Sequence, residues 1–136
     1  MQKATNKVVD LYPQQELEPW EIEWKKCKPL LVKAMKYQDT YTIDDIEDKI
    51  RNGIAFLWPA KESVIVTECV AFSQKNIMHI LCASGKYEEI EQIYKCIEQH
   101  AKEIGINKIT LIGRKGWFRK IKHLGFKPEY LVSKDL

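Results

Sequence analysis

The sequence predicts a single α+β domain in which a mixed, mostly antiparallel sheet is flanked by helices. Two observations carry this prediction. Three strand patterns follow one another between residues 54 and 82, and the turns between them are short enough for an antiparallel meander. A long helical pattern and a further strand pattern come next, an order that favours a right-handed crossover and one parallel strand pair. We therefore expect about six strands and about four helices, within one domain that spans residues 1–136.

The first half of the chain carries the signals of a short strand and two helical regions. Residues 8–12 are apolar except for Asp10 and partly β-branched, which favours a strand. Residues 19–37 show apolar stripes at helical spacing on either side of Pro29. Proline lacks an N–H, so we expect it to kink the helix or to begin its second piece. A further helix is expected to begin after Thr42, a residue type that caps helices, and to end near Gly53.

The strands of the meander are expected at residues 54–58, 64–72 and 77–82. After Gly85, apolar side chains recur at helical spacing and predict a long helix; they are Ile90, Ile93, Tyr94, Ile97, Ala101 and Ile104. This helix leads to a strand at residues 108–112, which we expect to lie parallel to strand 77–82. The carboxyl ends of these two strands then frame a crevice, where ligands tend to bind in such sheets.

The last part of the chain predicts a short helix at residues 115–124 and a terminal strand, or a very small hairpin, at residues 126–136. Six basic residues with no acid among them lie in this region: Arg114, Lys115, Arg119, Lys120, Lys122 and Lys127. Such a cluster is able to hold phosphate or another anion, and the alternative is a solvated helix face. Arg114, Trp117 and Arg119 are the candidates for substrate or anion binding, with core packing as the alternative for Trp117.

The composition limits the class of protein. Apolar residues make up 45% and charged residues 30% of the chain, enough for a core and unlike a disordered tail. No apolar run approaches the roughly 20 residues of a membrane-spanning helix, and no secretory signal is visible. The four cysteines and three histidines have no metal-site spacing, so we expect reduced thiols, no metal ion and a cytoplasmic location without membrane contact.

Glu68 and His79 are the candidate catalytic residues. Glu68 interrupts an apolar strand, and a carboxylate there is costly unless it is paired or hydrated. Such a group either faces a cleft, as a general base, or forms a structural ion pair. His79 alternates with Ile77 and Leu81 in the next strand, so it is expected beside Glu68 across the ladder, with an ordinary core or surface histidine as the alternative.

The order of elements, with Gly85 at the strand-to-helix turn and Gly125 and Phe126 after the last helix, resembles the GNAT (Gcn5-related N-acetyltransferase) fold over nearly the whole chain. Residues 42–58, residues 66–68 and the run GRKGWFR at residues 113–119 are similar to small GNAT-like proteins of bacteriophages and prophages. This resemblance implies a protein of the host cytoplasm or of a virion.

The resemblance also implies acetyl-CoA as cofactor, with its diphosphate on the N–H groups that open the long helix. The matching turn is Cys82, Ala83, Ser84, Gly85, Lys86 and Tyr87. Cys82 replaces the usual Gln or Arg, Tyr87 replaces a small residue, and Ile121 stands where a thiolate-protonating Tyr is usual. Glu88, Glu89 and Glu91 crowd the first helical turn and oppose a diphosphate, although they also suit the helix dipole.

Three functions stay open. The first is an N-acyltransferase that uses acetyl-CoA, with weak or lost activity. The second is a catalytically inactive phage-type protein in virion structure, assembly or host interaction. The third, ranked last, is anion or nucleic-acid binding through residues 114–127, which predicts a steep salt dependence. The expected partner is a small-molecule thioester or a protein, and a homodimer stays open.

Overall fold

The computed structural model describes residues 18–113 and 115–136, and in these ranges it contains four α-helices and one four-stranded sheet. The helices are α1 (Pro19–Ala34), α2 (Ile43–Arg51), α3 (Tyr87–Glu103) and α4 (Lys115–Ile121). The strands are β1 (Ala55–Pro59), β2 (Val64–Ala71), β3 (Asn76–Ser84) and β4 (Lys108–Leu111). Short 3-10 turns at Met35–Tyr37 and Lys122–Leu124 follow α1 and α4.

The sheet has the order β1-β2-β3-β4. The first two pairs are antiparallel and the β3–β4 pair is parallel, so the predicted meander and the predicted parallel pair are both confirmed. The expectation of about six strands is wrong for the described residues, which contain four. Residues 126–136 form no strand, and Pro128 within them has no N–H to give to a ladder. The strand predicted at residues 8–12 lies outside the described residues.

Two layers of helices cover the sheet because side chains alternate between its faces. One face packs against α1 and α2 in a core of eight buried residues: Trp24, Cys27, Leu31, Ile46, Ile50, Ala55, Val64 and Val66. The other face packs mainly against α3, in a second core of seven: Ile65, Met78, Ile90, Ile93, Tyr94, Ile97 and Ala101. We call these the α1/α2 face and the α3 face.

The start of α2 agrees with the prediction from the sequence, whereas the course of α1 at Pro29 differs from it. Thr42 caps α2 as predicted, because its side chain accepts the Asp45 N–H at 3.2 Å and its own N–H donates to Asp45 at 2.8 Å. Helix α1, in contrast, does not begin again at Pro29 but runs through it to Ala34. Packing of Trp24, Cys27 and Leu31 on both sides of the proline keeps the helix in place.

Candidate functional site

Strands β3 and β4 separate before β3 ends. Their last pair is Ile80 with Leu111, whereas β3 continues to Ser84. A β-bulge marks this point: Thr67 of β2 pairs with Ile80 but Val66 pairs with Cys82, which leaves Leu81 as a surplus residue. A bulge bends its strand and increases the local twist, so it accounts for the separation. We call the space between residues 81–84 and residues 112–113 the β3–β4 gap.

The gap opens into a groove of about 690 Å³. One wall is the end of β3 with Gly85, and another is the end of α1 with its following turn, residues 33–38. The third wall combines residues 112–113 with side chains of α3 and α4. Residues of that third wall include Gly113, Tyr87, Glu91, Tyr94, Trp117 and Ile121. The groove therefore reaches both helical layers through the break in the sheet.

The structure brings most of the predicted cofactor turn to this groove. Cys82, Ala83, Ser84, Gly85 and Tyr87 line it. Burial raises the pKa of the Cys82 thiol to about 12, so this cysteine is protonated at neutral pH and is not a nucleophile. The bulge places Cys82 against the α1/α2 core and Ala83 against the α3 core.

The N-terminus of α3, where a diphosphate is expected, is joined to the β1–β2 turn. The backbone N–H of Lys86 donates to Ser63 Oγ at 2.8 Å. The Ser63 hydroxyl donates to Glu89 Oε1 at 2.7 Å, and the Glu62 N–H donates to the same oxygen at 2.9 Å. The Lys86 ammonium is paired with Glu62 at 2.9 Å. The cofactor residues of the turn therefore do not leave an open cradle here.

A second group of polar contacts ties α3 to α4 beside the groove. Tyr87 Oη lies 2.7 Å from the Lys120 carbonyl oxygen and 2.9 Å from Glu91 Oε1. His123 Nε2 also lies 2.9 Å from that carboxylate oxygen. The hydrogen bonds of Tyr87 and His123 lower the pKa of Glu91, whereas burial and the Glu91 contact raise the pKa of Tyr87 to about 12. Glu91 is thus ionised and a poor proton acceptor at neutral pH.

Glu68 and His79 stand side by side, as predicted, but on the α1/α2 face and outside the lining of the groove. They are direct partners across β2 and β3. Glu68 Oε1 accepts the Lys49 ammonium at 3.0 Å, the ion pair that the sequence left as the alternative. His79 Nδ1 lies 2.8 Å from Thr110 Oγ1, one pair before β3 and β4 separate. Burial lowers the pKa of His79, and Glu68 opposes this shift.

Two of the three candidates for anion binding, Trp117 and Arg119, lie on α4. Arg114 lies outside the described residues. Trp117 is half-buried and lines the groove, where it also packs against the α3 core. Arg119 is exposed on α4, and the Lys120 ammonium lies 5.4 Å from the centre of the Tyr87 ring.

Sequence reasoning missed two parts of the site. The turn after α1, residues 35–38, forms one wall of the groove. The residue in the local sequence that could have indicated this turn is Gln38. Its amide oxygen accepts the N–H groups of Thr40 and Tyr41, and its amide nitrogen donates to the Tyr41 carbonyl at 2.8 Å. Ser63 was missed because its partners lie 23 and 26 positions along the chain, and no local pattern reveals them.

Within residues 18–113 and 115–136, no group of three or more His, Cys, Asp or Glu side chains is placed to hold a metal ion. No helix in the same ranges has the length and apolar character needed to cross a membrane.

Comparison with solved structures identifies proteins of similar fold. A protein described as a probable acetyltransferase superimposes with a TM-score of 0.65, over 85% of this chain and 91% of its own, at 12% identity. An acetyltransferase from Trypanosoma brucei gives 0.53, over 69% and 78%, at 14% identity. A protein from Thermus thermophilus gives 0.54, over 71% and 81%, at 17% identity.

The chain has the fold of GNAT-type acetyltransferases. The resemblance to the GNAT fold is thereby confirmed at the level of the fold, which alone does not establish an activity. The likeness to bacteriophage and prophage proteins stays a prediction. No protein-family profile matches the sequence, and no curated protein sequence matches it either.

Proposed function

We propose that this protein binds an acyl thioester, with acetyl-CoA as the reference ligand, and that it is an N-acyltransferase of low activity. The observation that supports this proposal is the β3–β4 gap. Residues 81–84 of β3 extend beyond the last β4 pair and border a groove of about 690 Å³, which falls in the size range of small-molecule sites.

The chemistry of the gap suits the pantetheine arm. Backbone N–H and C=O groups on the free edge of β3 need partners, and the two amides of pantetheine are able to supply them as a short strand does. The neighbouring side chains Ala83, Trp117 and Ile121 give an apolar surround for the methylene groups of the arm. The residues present therefore fit the arm of the cofactor.

When bound, the cofactor supplies a thioester whose acetyl carbon forms a bond to an amine nitrogen as its bond to sulfur breaks. The amine loses a proton in this transfer and the sulfur gains one. His79 is our proposed proton acceptor, because its lowered pKa keeps the ring neutral at pH 7 and its contact with Thr110 lies one pair before β3 and β4 separate. Ile121 lines the groove and stands where the resemblance to the family places the usual proton donor. Its side chain has no proton to give to the thiolate, which favours slow turnover.

Calorimetry with acetyl-CoA and a matched pair of variants tests the proposal. A side chain at Gly113 meets Leu111 and Trp117, both in the groove wall, whereas one at Gly116 meets nothing within 4 Å. Gly113→Leu is expected to weaken acetyl-CoA binding at least about tenfold, and Gly116→Leu to leave it within about twofold. Absence of heat and of a thermal shift at millimolar acetyl-CoA in the natural chain would overturn the proposal.

A second candidate is a phage-type protein that keeps the fold and has lost transfer chemistry. It is favoured by the state of Glu91, the one carboxylate among the described groove residues, whose pKa is lowered by Tyr87 and His123. Turnover of acetyl-CoA with an amine acceptor, lost in His79→Gln, would exclude this candidate. Binding without turnover would favour it.

A further inference from the structure

Where the groove meets the first turn of α3, backbone and side-chain groups of this chain contact one another and leave no open space between them and the β1–β2 turn. We call Glu62, Ser63, Gly85, Lys86 and Glu89 the Ser63 joint. Ser63 is fully buried, and its oxygen accepts the Lys86 N–H while its proton goes to Glu89. One of the N–H groups that opens α3 is therefore already bonded, and a carboxylate already lies beside it.

Gly85 belongs to this joint and not to an open anion cradle. Its φ of +127° lies in a region that L side chains rarely adopt. A Cβ at this position would overlap Ser63 Oγ, Ser63 Cα and the carbonyl oxygen of Glu62. The missing side chain thus makes room for the β1–β2 turn. The glycine in the sequence motif is explained by packing within the chain.

The charges at this junction oppose the binding of an anionic ligand. The hydrogen bonds from Ser63 and from the Glu62 N–H lower the pKa of Glu89, so its carboxylate is ionised at neutral pH. Glu88 adds a carboxylate in the same helical turn. The ammonium of Lys86 is engaged by Glu62, whose hydrogen bond raises the pKa of that lysine. A diphosphate placed here meets three carboxylates and one ammonium that is already paired.

We propose that the ligand of the groove is an acyl thioester of pantetheine or 4′-phosphopantetheine, recognised through its arm, and that the nucleotide of coenzyme A contributes nothing to its affinity. This inference rests on the proposed function. The arm fits the free edge of β3, whereas at the expected diphosphate site the Ser63 joint already engages the Lys86 N–H and adds carboxylates that repel an anion. The nucleotide then remains in solvent.

Titration calorimetry with four ligands tests the proposal: S-acetylpantetheine, S-acetyl-4′-phosphopantetheine, acetyl-CoA and adenosine 3′,5′-bisphosphate. The three thioesters are expected to bind with dissociation constants within about threefold of one another, and the bisphosphate without measurable heat. One charge-assisted contact to phosphate is worth roughly tenfold or more in affinity. Acetyl-CoA binding more than about thirtyfold tighter than S-acetylpantetheine would therefore overturn the inference and leave the proposed function intact. If no thioester binds, both are overturned.

A charge variant adds a second measurement. Glu88→Lys reverses a charge in the first turn of α3, and Glu103→Lys makes the same change at its last residue. Both variants are expected to keep the ratio of the acetyl-CoA and S-acetylpantetheine affinities within about threefold, because no phosphate lies near either end. A tenfold rise of this ratio in Glu88→Lys alone would place the nucleotide at α3 and refute the inference.

Discussion

Replacing Ser63 by alanine tests the joint at the start of α3 directly. The hydroxyl is fully buried. It accepts the Lys86 N–H at 2.8 Å and donates to Glu89 at 2.7 Å, and the Lys86 carbonyl oxygen lies 3.4 Å from it. In Ser63→Ala that N–H loses its partner, and a buried unsatisfied group costs about 1–3 kcal/mol. With about 3–5 °C of melting temperature for each kcal/mol in a chain of this length, we expect the melting temperature to fall by about 3–15 °C.

The assay is thermal unfolding followed by circular dichroism, with Ser73→Ala as the matched control. Ser73 lies in the exposed β2–β3 turn, and its substitution is expected to change stability by less than about 0.5 kcal/mol. If Ser63→Ala and Ser73→Ala melt within about 2 °C of each other, the joint does not stabilise the fold and the reasoning is refuted.

The same variant has an expected pH dependence. The joint lowers the pKa of Glu89 below its ordinary value of 4.5. Its contribution to stability is thus present above that value and is lost as the pH falls through the folded-state pKa. The difference in melting temperature between the natural chain and Ser63→Ala should therefore shrink in acid. A difference that grows on acidification would contradict the assigned ion state of Glu89.

Three further predictions use the same measurements or a transfer assay. Gly85→Ala should destabilise the chain more than Gly53→Ala, because both glycines have positive φ but only a Cβ at Gly85 overlaps other atoms; equal losses would contradict the close packing. Lys49→Met should cost about 1–3 kcal/mol by leaving the Glu68 carboxylate partly buried and unpaired, and an unchanged urea midpoint would contradict the structural role of that ion pair. If acetyl transfer is measurable, its rate should rise with pH and then level off, and the midpoint of the rise should lie below 6.5, the ordinary pKa of a histidine such as His79. His79→Gln should abolish this pH dependence. A pH dependence that survives in the variant would remove His79 as proton acceptor.

The sequence predicts those parts of the fold that depend on local periodicity. The pattern from Ile90 to Ala101 marks α3 because these apolar residues face the sheet, whereas Ile104 follows the helix and is exposed. The spacing of the strands likewise predicts the meander and the parallel pair. The tail at residues 126–136 is the exception, since its apolar side chains, such as Tyr130 and Val132, stay exposed and strand propensity alone does not supply a partner strand.

The site is less predictable because it depends on contacts between distant residues. Gly85 is visible as a turn residue, but its reason, the approach of Ser63 and Glu62, comes from the β1–β2 turn more than twenty positions earlier. Glu68 is recognisable as an unusual carboxylate, but its ion-pair partner, Lys49, lies on another element. Local patterns indicate which residues are unusual, and tertiary packing determines what each of them does.

The surplus residue in β3 has a consequence for how such a protein could change over evolutionary time. Without Leu81, Ile80 and Cys82 would be consecutive and would pair with Thr67 and Val66 as in a regular ladder. Ile80 and Ala83 would still point towards α3, and Cys82 towards α1 and α2. Deletion of a single codon would therefore leave every other side chain of the strand on its present side. It would straighten the strand and remove the opening, so the proposed ligand binding is separable from the architecture by one small genetic event.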